Sequence, residues 1–592
     1  MAHRTNDHGH PSRRAALRTG AGLGTLAAAA LAGVPLSPAH AAPVDGASVT
    51  FSSVPIARTD DITVPPGYTA HVIAPWGTPL HSFGPKWRPD AANPAAEARL
   101  QIGTGHSGLH FLPVNPRREG TRSGLLVINH ASADPVLLHA DGGRAATFER
   151  TAKEMVSLGA SVVRVKLSNG RWRMTGSDVN RRITASSHVT FSGPLHGHDV
   201  LEAGSGARGV LGGTAHAVTP WGTYLTGEDT ISDVFGTGQR NWRPSEAHRR
   251  YGLAADGSAY DWHLHQPRFD LAESPDEPYR FGWTVEVSPW NPVSPPVKRT
   301  ALGRIAHNGA VVAESRGRPV VYMSDTGHVY KFVGEHAWQD VRTATASPLD
   351  EGTLFAARFD DDGTGQWIRL EHGRDGLTEA RGFHDQADVL LRAREAAEAV
   401  GATELRSPGR PTVHPETGEV YLPEAREGRG GRVLVWTEGS GDHGATVLGW
   451  REFVRPGSSD DSDGARFAAP GGVYCGGDGR LWITTDVVRL GDDDQRADLG
   501  NSALLCADPE TGRVRRFLTG PRGCGISGVT AAPDQRTLFV SVRGPGWSGS
   551  PLGDPTAADP RVVSNWPEHA RGGRPRSAVV VIRREDGGVV GT

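Results

Sequence analysis

The chain is predicted to be all-β, a six-bladed β-propeller with long inter-blade insertions and few short helices, and three observations lead there. First, one local pattern recurs six times: turn residues, a short apolar run, then a polar residue where the run ends. The runs are LLVINH to His130, TYLTGED through Glu228, VVYMSD to Asp325, EVYLPE to Glu424, RLWITTD to Asp486 and TLFVSVR to Arg543. Second, 77 Gly and 42 Pro against 4 Met, with apolar runs of four to six residues between turn formers, leave little room for long helices. Third, about 550 residues remain after the N-terminal segment described below, more than one hydrophobic core usually spans, so the core is spread over repeated units.

In a propeller these six runs are inner blade strands, and their polar ends converge on one end of a central channel. Their spacing is uneven, roughly 55 to 100 residues, which requires long insertions, as around 231–280 and 335–400. A sandwich with a second domain accounts for similar strands. The periodicity of QADVLLRAREAAEAV predicts one helix over 386–400, decorating the rim. The run PGSSDDSDG, 456–464, reads as a surface loop.

The N-terminus orders Ser12-Arg13-Arg14, an apolar Ala/Gly-rich run from Thr19 to Val34, and Ala39-His40-Ala41. This is the order of a twin-arginine export signal over 1–41, leaving 42–592 as a single domain outside the cytoplasm. The apolar run is shorter than the roughly 20 residues of a spanning helix. Twin-arginine substrates often fold around a cofactor before transport, so a metal is in keeping with the signal. A formal net charge of −3 offers no basic surface for nucleic acid. The expected partner is therefore a small-molecule ligand, with no nucleic acid, no membrane insertion after signal removal, and a monomeric chain. Cys475, Cys506 and Cys524 are too few for a disulfide framework, and both one pair and three buried thiols fit.

NRRITASS (180–187), FSGPLHGH (191–198), TPWGTYLTGED (219–229), the long block 279–310, YKFV (330–333), RLWITTD (480–486), RRFLTGPRGCGISG (515–528) and RPRSAVVVIRREDGGVVG (574–591) follow one another in a family order. The chain resembles the PhoX-type alkaline phosphatases over nearly all of its length. The resemblance implies a six-bladed propeller, twin-arginine export, and phosphomonoester hydrolysis at a mixed iron and calcium cluster held by carboxylates and a cysteine.

The match departs from that pattern where the ligands are implied. Thr214 stands in place of the cysteine, Ala131 and Asn308 in place of glutamates, Gly525 in place of a glutamate, and Arg543 in place of a glutamine; Arg410-Pro411-Thr412-Val413 approximates Arg-Pro-Glu-Asp. What remains as metal ligands is Glu228, Asp229, Glu286, Asp325 and Asp486, with Arg304 and His307 as catalytic residues. Arg304 is implied as the phosphate anchor. That set suits calcium, which takes oxygen ligands, better than iron. Two expectations follow: a phosphatase with an altered metal site, or a non-catalytic propeller of the same family. His196 and His198, His263 and His265, and His216 beside the missing cysteine are weaker ligand candidates. Trp221, Trp283, Trp482 and Cys524 read as core.

Overall fold

A computed structural model describes residues 49–592 apart from 115–121, 144–145, 203–205, 230, 342–345, 427–429, 458–465 and 491–492. The twin-arginine signal over 1–41 and most of the 456–464 loop lie outside the described residues. Each of the six predicted runs becomes the second strand of its own blade: Ser123–His130, Tyr224–Gly227, Arg318–Ser324, Val420–Glu424, Leu481–Thr485 and Leu538–Arg543. The innermost strands are His106–Pro113, His216–Val218, Gly309–Ser315, Thr412–Val413, Pro470–Cys475 and Gly525–Ala531. Each touches the next around the ring, and the last touches the first. The sheets of the third and fourth blades are continuous at their outer edges through Thr364–Arg369 and Val447–Val454.

The ring closes inside the sixth blade, where the early strand Tyr68–Ile73 pairs with the late strand Ala578–Arg584 in the register Tyr68↔Arg584. Both chain ends are thus held in one sheet. This explains why the second strands read as unbroken apolar runs: each blade is covered on both faces. In LLVINH, Leu125 and Val127 pack in one cluster with Leu225 and Trp283 of the second blade. Leu126 and Ile128 point the other way, into a cluster with Phe539 and Val581 of the sixth. Each such side chain contributes about 1.5–3 kcal/mol by leaving water. Between the first and sixth blades Phe111 stacks on Phe539 at 5.3 Å, and Trp172 donates to Thr537 Oγ1 at 3.1 Å.

Two expectations change. The 386–400 helix is two helices, Gln386–Leu391 and Ala393–Ala399, broken at Arg392, whose φ of −117° and ψ of 34° leave the helical region. Nor does it merely decorate the rim, since Val389, Leu390, Ala393, Ala396 and Ala397 are buried in the main cluster. The 231–280 insertion builds an aromatic cluster of its own from Phe235, Tyr260, Trp262 and Phe269. Trp283 and Trp482 are blade core, as expected, while Trp221 is half-buried. The three cysteines are free thiols; Cys506 and Cys524 are buried. No helix among the described residues is long and apolar enough to cross a membrane.

Candidate functional site

At the end of the ring where the innermost strands begin and the second strands finish lies a cavity of about 450 Å³, lined among others by Thr214, Asn308, Arg410, Asp486, Ser527 and Arg543. Loops from neighbouring blades come together tightly here. A Cβ on Gly213 would fall 1.8 Å from the Gly227 carbonyl oxygen, so only glycine fits before Thr214. Asn129 holds this loop by donating Nδ2 to the carbonyls of Gly213 and Ala215, and Tyr224 in turn donates to Asn129 Oδ1.

Thr214 faces two acceptors. Its hydroxyl lies 2.8 Å from the Asn308 carbonyl and 3.2 Å from Asp229 Oδ2, and its amide donates to the same Asp229 oxygen at 3.0 Å. Where a metal-binding thiolate would offer a lone pair, this side chain offers a proton. Asn308 donates Nδ2 to the Pro408 carbonyl. Arg410 is 4 % exposed; its Nη2 donates to the Ser527 carbonyl at 2.7 Å, and no carboxylate pairs with it among the described residues. Burial pushes this guanidinium down to about 10.

The residues predicted from sequence are distributed differently. Glu228 is wholly buried, accepts amides from Leu211, Gly282 and Trp283, and pairs with Lys298 at 2.9 Å. Glu286 accepts from Trp221, Thr223, Ser347 and Arg299. Burial opposes its ionisation, but Arg299 and the hydroxyl and indole donors hold its carboxyl below the usual range. Asp325 accepts amides from Gly327 and His328, the Tyr330 hydroxyl, and Arg394 at 3.1 Å. Arg304 donates to the carbonyls of Phe281 and Pro278 and lies 3.7 Å over the Tyr251 ring. His307 is buried beside Thr284, and desolvation drives its pKa down to about 3. These five are tied to protein groups. Asp486 lines the cavity, and Asp229 is joined to it through Thr214.

Of the six strand-end residues, only Asp486 and Arg543 line the cavity. His130 is buried against Thr104 and Ser161, and Glu424 pairs with Arg432 and Arg426. His263 sits on a short 3-10 helix rather than a strand, with His265 just beyond it, and His216 is buried against the Thr214 carbonyl with its pKa driven well down by burial.

Four of the positions singled out in the sequence, 214, 308, 525 and 543, do meet, however. Thr214, Asn308 and Arg543 share the cavity, and a Cβ on Gly525 would fall 2.8 Å from Asp486 Cγ. Measured against an iron and calcium cluster, the donors present do not fit. Among the described residues no three His, Cys, Asp or Glu side chains stand together to hold a metal ion, and position 214 supplies a donor where an acceptor is needed. Sequence reasoning passed over Lys298, Arg299, Arg394, Arg406 and Arg426. The signal for the first two was VKR, 297–299, which forms the strand paired with the one carrying Glu286.

The sequence profile of the family described as alkaline phosphatase PhoX matches residues 49–546. The solved structure of Pseudomonas fluorescens PhoX in complex with vanadate, a transition state analogue, is 37% identical, covers 92% of this chain and 99% of its own, and superposes with a TM-score of 0.82. A protein of unknown function from Dyadobacter fermentans is 10% identical over 88% of this chain and 100% of its own, with a TM-score of 0.32. A search of curated protein sequences found no match.

Proposed function

This chain belongs to the PhoX alkaline phosphatase family, and on that premise we propose that it is an exported, phosphatase-like protein that receives phosphate esters at the cavity of its propeller without assembling an iron-containing cluster. One observation carries this reading: Thr214 spends its hydroxyl proton on Asp229 and the Asn308 carbonyl, so the position implied for the iron thiolate is closed to metal. Asp229 and Asp486 are the carboxylates left at the cavity, and at most they suit one oxygen-seeking cation such as calcium. Glu228, Glu286 and Asp325 then serve as anchors of the blades, and Arg304 and His307 as packing groups.

The chemistry left to this chain's own residues is binding and orientation. Arg410 supplies a planar guanidinium, charged at neutral pH, whose N–H groups not bound to Ser527 suit phosphoryl oxygens, and Thr484 and Ser527 line the same cavity with hydroxyls. No step of phosphoryl transfer is drawn through a metal. The same saturation of carboxylates favours a second reading, in which the channel binds a ligand or partner without turnover.

Metal analysis of the exported protein, together with p-nitrophenyl phosphate hydrolysis across alkaline pH with iron and calcium supplied, tests the proposal. Substoichiometric iron is expected, with hydrolysis faint or absent. Stoichiometric iron with rapid hydrolysis would overturn it.

A further inference from the structure

Four arginines line the cavity, Arg406, Arg410, Arg426 and Arg543, against the carboxylate of Asp486 in the lining and that of Asp229 behind Thr214. They are not equivalent. Arg426 is paired with Glu424 at 3.1 Å. Arg406 and Arg410 carry no carboxylate partner among the described residues, and both belong to one short loop, Arg406-Ser407-Pro408-Gly409-Arg410.

That loop is held rigidly. The Arg406 amide donates to Glu424 Oε1 at 2.9 Å, the Gly409 amide to the Pro423 carbonyl, and the Arg410 amide to the Gly471 carbonyl. Ser407 takes a φ of +48°, and a Cβ on Gly409 would meet the Gly471 oxygen at 2.3 Å. The backbone therefore fixes the points from which both side chains leave the loop, Arg410 nearly out of water and Arg406 exposed. A buried charge without a counter-charge is costly, and an anion in the cavity removes that cost. One orthophosphate leaves most of 450 Å³ unfilled and reaches a single level, whereas cavities of this size hold small organic molecules.

We propose that the cavity binds an organic molecule carrying two phosphate groups directly on arginine side chains, with no metal ion between ligand and protein, one group on Arg410 and the other on Arg406. This rests on the phosphate-ester reading above and names its ligand class. Arg410 sets affinity for any phosphate, and Arg406 sets the preference for a second one. Binding is a charge-paired association, and no covalent step is involved.

Calorimetric titration of the full exported chain, stripped of metal and kept in EDTA, decides the matter with glucose 1,6-bisphosphate, glucose 6-phosphate and inorganic phosphate as probes. The bisphosphate is expected to bind at least about tenfold more tightly than the monophosphate, a difference of about 1.4 kcal/mol. Arg406→Ala, at an exposed position, should bring the two sugar phosphates to within about threefold. Arg410→Gln should weaken all three probes by about tenfold or more, with thermal melting confirming the fold. No binding in EDTA, equal affinities for the two sugar phosphates, or a bisphosphate preference untouched by Arg406→Ala would each overturn the inference. Metal content and p-nitrophenyl phosphate hydrolysis are separate readouts, so a failure here is distinct from a failure of the proposed function.

Discussion

Asp486 occupies the space that a side chain at position 525 would need: a Cβ built on Gly525 falls 2.8 Å from its Cγ and 2.9 Å from each of its carboxylate oxygens. The two belong to neighbouring blades, at the end of one second strand and the start of the next innermost strand. A glutamate at 525 and the present placement of Asp486 exclude each other.

Gly525→Ala should therefore destabilise the protein by about 1–3 kcal/mol through overpacking. In the background of Asp486→Ala the same change should cost much less, because the obstructing carboxylate is gone. Urea denaturation of the two single variants and the double variant measures the coupling, and additive effects would show that the residues do not compete for that space.

Thr214→Cys combined with Asn308→Glu places a soft sulfur ligand and a carboxylate where the cavity holds a hydroxyl and an amide. The double variant is expected to take up more iron than the parent on expression in iron-rich medium. Adding Gly525→Glu should raise it further only when Asp486 is also shortened. Plasma mass spectrometry of the purified variants reads this directly.

Lys298 and Glu228 are both fully buried and sit 2.9 Å apart. Lys298→Met leaves Glu228 with its amide donors but no counter-charge, and should cost about 3–5 kcal/mol. Lys298→Met with Glu228→Gln should recover most of that loss. Metal content should be the same in the parent and in the double variant, because the parent's Glu228 is already occupied by lysine.

Glu286 has a depressed pKa in the fold, so its ionised form contributes stability above the unfolded carboxyl value and loses it as pH falls through the lower folded value. The parent should be more stable than Glu286→Gln at pH 7. The gap should narrow as pH drops below about 4.5. Denaturation curves at several pH values test this, and a gap that widens in acid would show that the carboxyl is not held ionised by Arg299.

Much of the scaffold was legible in the chain. Six apolar runs ending in polar residues mark six second strands, because a blade covered on both faces demands apolar residues at every position of its central strand, as in Leu125 to Ile128. The helix over 386–400 was misjudged because periodicity registers the apolar face and not the turn at Arg392. The candidate site was legible only in part. Positions 214, 308, 525 and 543 could be picked out along the chain, and they do meet.

What the sequence determined by itself is therefore the pattern of six central strands, while whether they close into one ring or divide into a sandwich and a second domain was left to tertiary structure. Tertiary structure alone decided which charged groups remain at the cavity. Glu228 looks like any strand-end carboxylate until Lys298 reaches it from two strands away, and Asp325 until Arg394 arrives from an inserted helix. A charge is disposed of by its neighbours in space, and those partners lie tens of residues off, where no local pattern records the pairing.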